Sequence, residues 1–155
     1  MDKFVKISLS LVIVLFLASS CGLDEQKQKL KKDSEYGVLS NEVHEQNMYV
    51  KLYLPQSEFP DSVETIPFKV KNLGSTTVTF GMEYLVEKYI KGNWYVIPYK
   101  SNVGFIMIAQ LLKPEEIYKD QVPMDLLDYR LTEGRYRIVK KIDSKILGAE
   151  FQIID

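Results

Sequence analysis

The chain of 155 residues reads as an all-β protein, an antiparallel β-sandwich of about seven to nine strands spanning residues 47–155. Three observations carry this reading. Short runs alternate apolar and polar side chains at a period of two, as strands with one buried face do. Turn residues punctuate those runs at close intervals. No stretch carries the long apolar stripe of an amphipathic helix. A composition of 46% hydrophobic and 26% charged residues is that of a folded globular protein.

The N-terminal segment stands apart from that texture. Lys3 and Lys6 precede residues 7–17, an uncharged run of 11 residues. As a helix this run reaches roughly 16 Å, about half of a ~30 Å hydrocarbon core. It is too short for a comfortable span and reads as a secretory signal ending in Ala18, Ser19 and Ser20. Leu17-Ala18-Ser19-Ser20-Cys21 resembles the lipobox of bacterial lipoproteins, with Ala18 where leucine is commonest and Ser20 where glycine or alanine is. The resemblance implies cleavage before Cys21 and a covalent lipid on its thiol. It also implies anchorage on the extracytoplasmic face of the cell membrane. Residues 1–20 are then the signal peptide. The other reading of Cys21 is a free thiol on a secreted chain. Residues 21–46, with "DEQKQKLKKDSE", read as a charged, solvated tether.

The strands follow in order. In "MYVKLYL" Met48, Val50, Leu52 and Leu54 share one face. Pro55 opens a loop over residues 55–63. In "TIPFKVKN" Ile66, Phe68 and Val70 point inward, with Lys69 and Lys71 outward. Residues 72–75, "NLGS", form a turn. Gly81 interrupts the next β-prone run, which suggests a bulge or a strand switch. Gly92 and Asn93 then suit a two-residue type II′ hairpin turn. Pairing across it sets Tyr89, Trp94 and Val96 on one face and Ile90, Tyr95 and Ile97 on the other. Both faces are apolar, so the pattern leaves open which of them is core.

"FIMIAQLL", residues 105–112, reads as a buried strand, and "KPEE" as a turn. "IYKDQVPMDLL" reads as an edge strand, because Pro123 has no N–H for a ladder. "YRLTEGRYRIVKKI" and "LGAEFQII" close the sheet pattern, with Ala149, Phe151 and Ile153 inward.

Two features are more specific. Tyr136, two residues after Gly134, is placed to form a tyrosine corner, its hydroxyl bonding backbone a few residues upstream. "VKNLGSTTVTFG", "YLVEKYIKGNWYVIP", "LLKPEE" and "LTEGRYRIVKKI" together resemble the immunoglobulin-like domains of bacterial lipoproteins from low-GC Gram-positive bacteria. The resemblance covers residues 49–154. It rests on the order and spacing of Asn72, Gly81, Glu87, Trp94, Gly134, Tyr136 and Arg137. Glu115 departs from it, standing where glycine is usual in a Leu-x-Pro-Gly turn. The family implies an immunoglobulin-like sandwich and an envelope location. It supplies no catalytic, cofactor or ligand residues to carry over.

Other chemistries are disfavoured. A net charge of -1 leaves no electrostatic footprint for nucleic acid. One cysteine and one histidine, His44 in a polar stretch, cannot assemble a zinc site or a nucleophile–base pair. Asp120, Asp125 and Asp128 lack the spacing of a calcium loop. Arg135 and Arg137 read as a solvated face. Tyr84, Tyr89, Tyr95 and Tyr99 read as core and cross-strand pairs, with a partner surface as the other reading; Trp94 is assigned to the core.

The expected function is a lipid-anchored, non-catalytic binding or structural module of the cell envelope. It needs no cofactor beyond the lipid on Cys21. Its partner is an unknown protein or cell-wall component, met at loops such as residues 55–63 and 99–104. The alternative is a proteinase inhibitor, because the Leu-x-Pro and Leu-x-x-Gly-x-Tyr order is also similar to small bacterial β-sandwich inhibitors.

Overall fold

The computed structural model describes residues 29–155. The signal segment 1–20, Cys21 and the start of the expected tether lie outside the described residues. Twelve strands follow in order: β1 (Lys32–Asp33), β2 (Glu42–Glu45), β3 (Met48–Tyr53), β4 (Glu58–Pro60), β5 (Thr65–Asn72) and β6 (Val78–Phe80) come first. β7 (Leu85–Ile90), β8 (Asn93–Val96), β9 (Gln110–Leu112), β10 (Ile117–Pro123), β11 (Gly134–Ile142) and β12 (Lys145–Ile154) complete the chain. A single 3₁₀ turn, Met124–Leu126, follows β10.

These strands form a six-stranded sheet ordered β1-β8-β7-β11-β12-β4 and a four-stranded sheet ordered β10-β5-β3-β2. A two-stranded β6-β9 ribbon is the third sheet. Alternation places the core between the two large sheets. Val50, Leu52, Ile66, Phe68 and Val70 come from one, and Val86, Tyr136, Ile138, Phe151 and Ile153 from the other. Phe68 meets Tyr84 edge-on at 5.3 Å, and Tyr136 stacks on Phe151 at 5.5 Å. Each buried apolar side chain of this size contributes roughly 1.5–3 kcal/mol against exposure.

Gly81 marks a strand switch. The chain leaves the β6-β9 ribbon there and enters the six-stranded sheet at Leu85. The break frees backbone carbonyls, and the buried Lys140 ammonium donates to two of them, Gly81 O at 2.9 Å and Glu83 O at 3.1 Å.

Several expectations are corrected. The charged segment is not a tether from Leu30 onward. Leu30 is buried, β1 pairs with β8, and β2 pairs with β3. Sparse apolar residues conceal this because the segment is held largely by backbone and polar contacts. His44 therefore lies in β2, where its exposed ring stacks on Tyr49 at 4.7 Å. The loop at residues 55–63 contains β4, whose Phe59 is buried and which pairs with β12 in parallel, so the sandwich is not wholly antiparallel.

The hairpin turn is Lys91 and Gly92, with φ of 48° and 96°, a type I′ geometry in place of the expected II′. Ile90 pairs with Asn93 and Tyr89 with Trp94. This shifts the register by two residues, so the facing of every side chain survives. The apolar run at residues 105–112 is strand only over Gln110–Leu112. Phe105 alone of its first four residues packs on the core, while Ile106, Met107 and Ile108 are exposed. The twelve strands exceed the expected number because β1, β4, β6 and β9 are too short to leave an alternation.

Candidate functional site

The β7–β8 hairpin carries different chemistry on its two faces. On the outer face of the sheet, Trp94 packs against Tyr89 at 5.1 Å, and the Arg137 guanidinium lies 4.2 Å from the indole centroid. Arg137 donates from Nε to Glu87 Oε2 at 2.6 Å; both residues are essentially inaccessible, at 1% and 0%. A buried pair of this kind is held only when its remaining polar atoms are also satisfied. They are. Arg137 Nη1 donates to Gly37 O at 2.8 Å, and Nη2 donates to Tyr36 O at 3.0 Å and to Ser34 Oγ at 3.3 Å. Ser34 Oγ in turn donates to Glu87 Oε1 at 2.6 Å.

Residues 34–40 thus form a strap over the outer face. Ser34 N donates to Trp94 O at one end, and Gly148 N to Ser40 O at the other. Leu39 lies so close to β12 that a Cβ on Gly148 would come within 2.8 Å of it.

The inner face opens into a groove of about 1550 Å³ at the edge of the sandwich, between β7–β8 and residues 127–134. Its lining includes Leu30, Ile90, Tyr95 and Leu127. Lys88 is buried there. Its ammonium donates to Tyr129 Oη and Thr132 O, each at 3.3 Å, and to Thr132 Oγ1. It also lies 4.9 Å from the Tyr136 ring centroid. Lys29, Lys91 and Lys100 are exposed along the groove, which also holds the exposed Asp128 and Glu133.

The residues singled out from sequence fall into three places. Tyr136 is fully buried, and its hydroxyl donates to Thr132 O at 2.5 Å while accepting from Thr132 N at 3.0 Å. That is the geometry of a tyrosine corner. Gly134 begins the same strand at φ 144°, and a Cβ there would lie 3.3 Å from Lys88 Cε. Gly134 therefore belongs to the groove wall, and Tyr136 to the core behind it.

Asn72 is a separate tie at the far end of β5. Its Nδ2 donates to Thr76 O at 2.8 Å and Leu112 O at 2.9 Å, and its Oδ1 accepts from Gly74 N at 3.0 Å. Trp94 is buried, yet it lies on the outer face under the two arginines and not between the sheets. Arg137 is likewise buried, where a solvated face is expected for it. Arg135 is exposed, pairs with Glu150 at 2.7 Å and lies 5.0 Å from the Tyr89 centroid. Cys21 lies outside the described residues.

The hairpin aromatics are divided by the same geometry. Tyr84 and Tyr99 pack with Phe105 in the interior, at 5.1 and 5.3 Å from it. Burial, with the Asp120 carboxylate second, pushes the Tyr84 hydroxyl up to about 12. Burial also raises Tyr99 and Tyr118, the latter bonded to Asp120 at 2.8 Å. Asp120 is thereby engaged by a phenol and by Gln121 N. Burial lowers the Lys140 ammonium to about 8, against an ordinary 10.5.

Sequence reasoning missed Lys88, Lys140 and the pairing of Glu87 with Arg137. The available signal was strand parity. Lys88 and Lys140 share the inward phase of Val86, Ile138 and Ile142, a sign that their ammonium groups need internal partners.

The family model described as a bacterial Ig-like domain matches residues 46–152. The chain belongs to this family. No curated protein sequence matches the chain. Among solved structures, it is similar to the archaellum periplasmic stator protein FlaG from Sulfolobus acidocaldarius. That likeness is 16% identical, with a TM-score of 0.41, and covers 66% of this chain and 98% of that one. It is also similar to the ASH / PapD-like domain of human CEP192, at 16% identity and a TM-score of 0.32, covering 79% and 96%. An Ig-like domain fits a non-catalytic structural or binding module.

Proposed function

We propose that this Ig-like domain is a lipid-anchored, extracytoplasmic module of the cell envelope that holds or binds a partner without transforming it. The observation that carries this reading is the use made of the four charged side chains buried among the described residues. Glu87 and Arg137 clamp the strap, Lys88 ties residues 129 and 132 to β7, and Lys140 ties the strand switch. Each is spent on holding one chain segment to another. A catalytic acid, base or nucleophile needs instead a reactive atom aimed at a substrate position.

Anchorage rests on Cys21, at the end of a short apolar run and eight residues before Lys29. The partner is a protein or a cell-wall component, and the groove with its rim of lysines is the surface that would meet it. Labelled palmitate enters the wild-type chain and not Cys21→Ala; equal labelling refutes the anchor. Crosslinking in intact cells through a photoreactive residue at Glu133 yields a discrete adduct. No adduct at that position or at Lys91 argues against the groove.

A further inference from the structure

We infer that the loop over residues 105–108 is a second membrane contact, dipping Ile106, Met107 and Ile108 into the outer edge of the bilayer. The inference rests on the lipid anchor proposed above and adds a second attachment to it.

Three observations converge. Ile106 is 68% exposed, Met107 99% and Ile108 50%. Three consecutive large apolar side chains in water are costly unless something covers them. The loop is also braced. Phe105 is locked against Tyr84 and Tyr99 behind it, and five residues earlier Lys100 N donates to Leu126 O. The apolar tip is therefore held outward by its own root and does not fold back onto the core.

The occupant follows from where the chain enters. Lys29 and Leu30 line the same groove as Lys100, which lies six residues before Ile106. The eight residues from Cys21 to Lys29 span at most about 28 Å when extended. A lipid on Cys21 therefore keeps this edge of the sandwich within a few nanometres of the bilayer. The exposed Lys29, Lys91 and Lys100 suit anionic headgroups, although Asp128 and Glu133 share the groove with them. The lipid implied for Cys21 attaches the chain, and an apolar tip entering roughly 5–10 Å below the headgroups adds buried apolar area that fixes how the domain lies on the surface.

The test uses the full chain purified from membranes and returned to vesicles of phosphatidylcholine and phosphatidylglycerol with brominated acyl chains. In Met107→Trp, bromine is expected to quench the introduced indole's emission well beyond any quenching of Trp94. The buried Trp94 of the parent chain is the control for background quenching. Palmitate labelling is measured on the same preparations. Palmitate present with no quenching at position 107 overturns the loop inference and leaves the anchor standing. Quenching without palmitate overturns the anchor and supports the loop. Concentration-dependent self-association that shields position 107 from bromine assigns the tip to a second copy and overturns the bilayer as its occupant. Ile106→Asn combined with Ile108→Asn should weaken the quenching while leaving the far-ultraviolet spectrum unchanged.

Discussion

The inner face of the six-stranded sheet and the centre of its outer face are removed from water by different means. The inner face does it with area: Val86, Ile138, Phe151 and Ile153 lie against the opposite sheet. Its energy is spread over many contacts, and no single one decides the outcome. The outer face has no second sheet. Seven residues of strap cover its centre, and one guanidinium satisfies Glu87, Ser34, Tyr36 and Gly37 at once. Charge can therefore close a face with little apolar area. The resulting structure depends on a few groups and fails abruptly when one is removed.

That difference predicts the largest effect. Arg137→Met leaves Glu87 buried and uncompensated, and should cost about 3–5 kcal/mol in urea denaturation. Adding Glu87→Met should recover much of the loss, because the cost lies in the orphaned charge. A single substitution as mild as the double one would mean that the pair is not desolvated as described. The inner face should respond less steeply. Tyr136→Phe leaves the ring stacked on Phe151 but takes the acceptor from the Thr132 N–H, while Lys88 still donates to the Thr132 carbonyl, at roughly 1 kcal/mol. An unchanged midpoint would remove the tyrosine corner from the account.

Gly148→Ala tests the closeness of the strap directly, since the new methyl meets Leu39. Overpacking of this kind costs about 1–3 kcal/mol. Amide exchange should quicken at residues 34–40 before it does in β11, and uniform quickening would contradict a separable strap.

The pH response follows from Lys140. Its folded value of about 8 lies below the unfolded 10.5, so between these values the unfolded chain binds more protons and stability rises with pH. Above about 10 the tyrosines oppose it. Tyr84 is raised to about 12, so the folded chain then holds the extra proton and stability falls. Lys140→Met should abolish the rise and keep the fall. The smallest effect is expected at Glu115. It sits at φ 65° after Pro114, in a turn closed by Glu116 N donating to Lys113 O at 3.1 Å. Glu115→Gly relieves the left-handed strain and should stabilise by about 0.5 kcal/mol, after the entropy glycine loses on folding.

Legibility in the sequence followed the range of the interaction. The phases of β3, β5, β11 and β12 were readable because alternation is local and each strand is long enough to display it. Facing across the hairpin survived a wrong turn type because a two-residue shift preserves parity. The strap was unreadable. Its residues are polar and irregular, and their partners lie as far away as Arg137, a hundred positions from Gly37. Ile106, Met107 and Ile108 misled for the opposite reason: an apolar run signals burial only if something is there to bury it.

The sequence alone therefore determined the class of fold, the inward residues of the long strands and the place of the Tyr136 corner. All three depend on spacing between neighbours along the chain. Only the tertiary structure decided which hairpin face is core, that Trp94 lies under arginines, that residues 30–46 belong to the domain, and that an apolar loop faces outward. Those outcomes depend on which distant groups come to share a space. A pair such as Glu87 and Arg137 becomes a clamp only when the fold removes water from both.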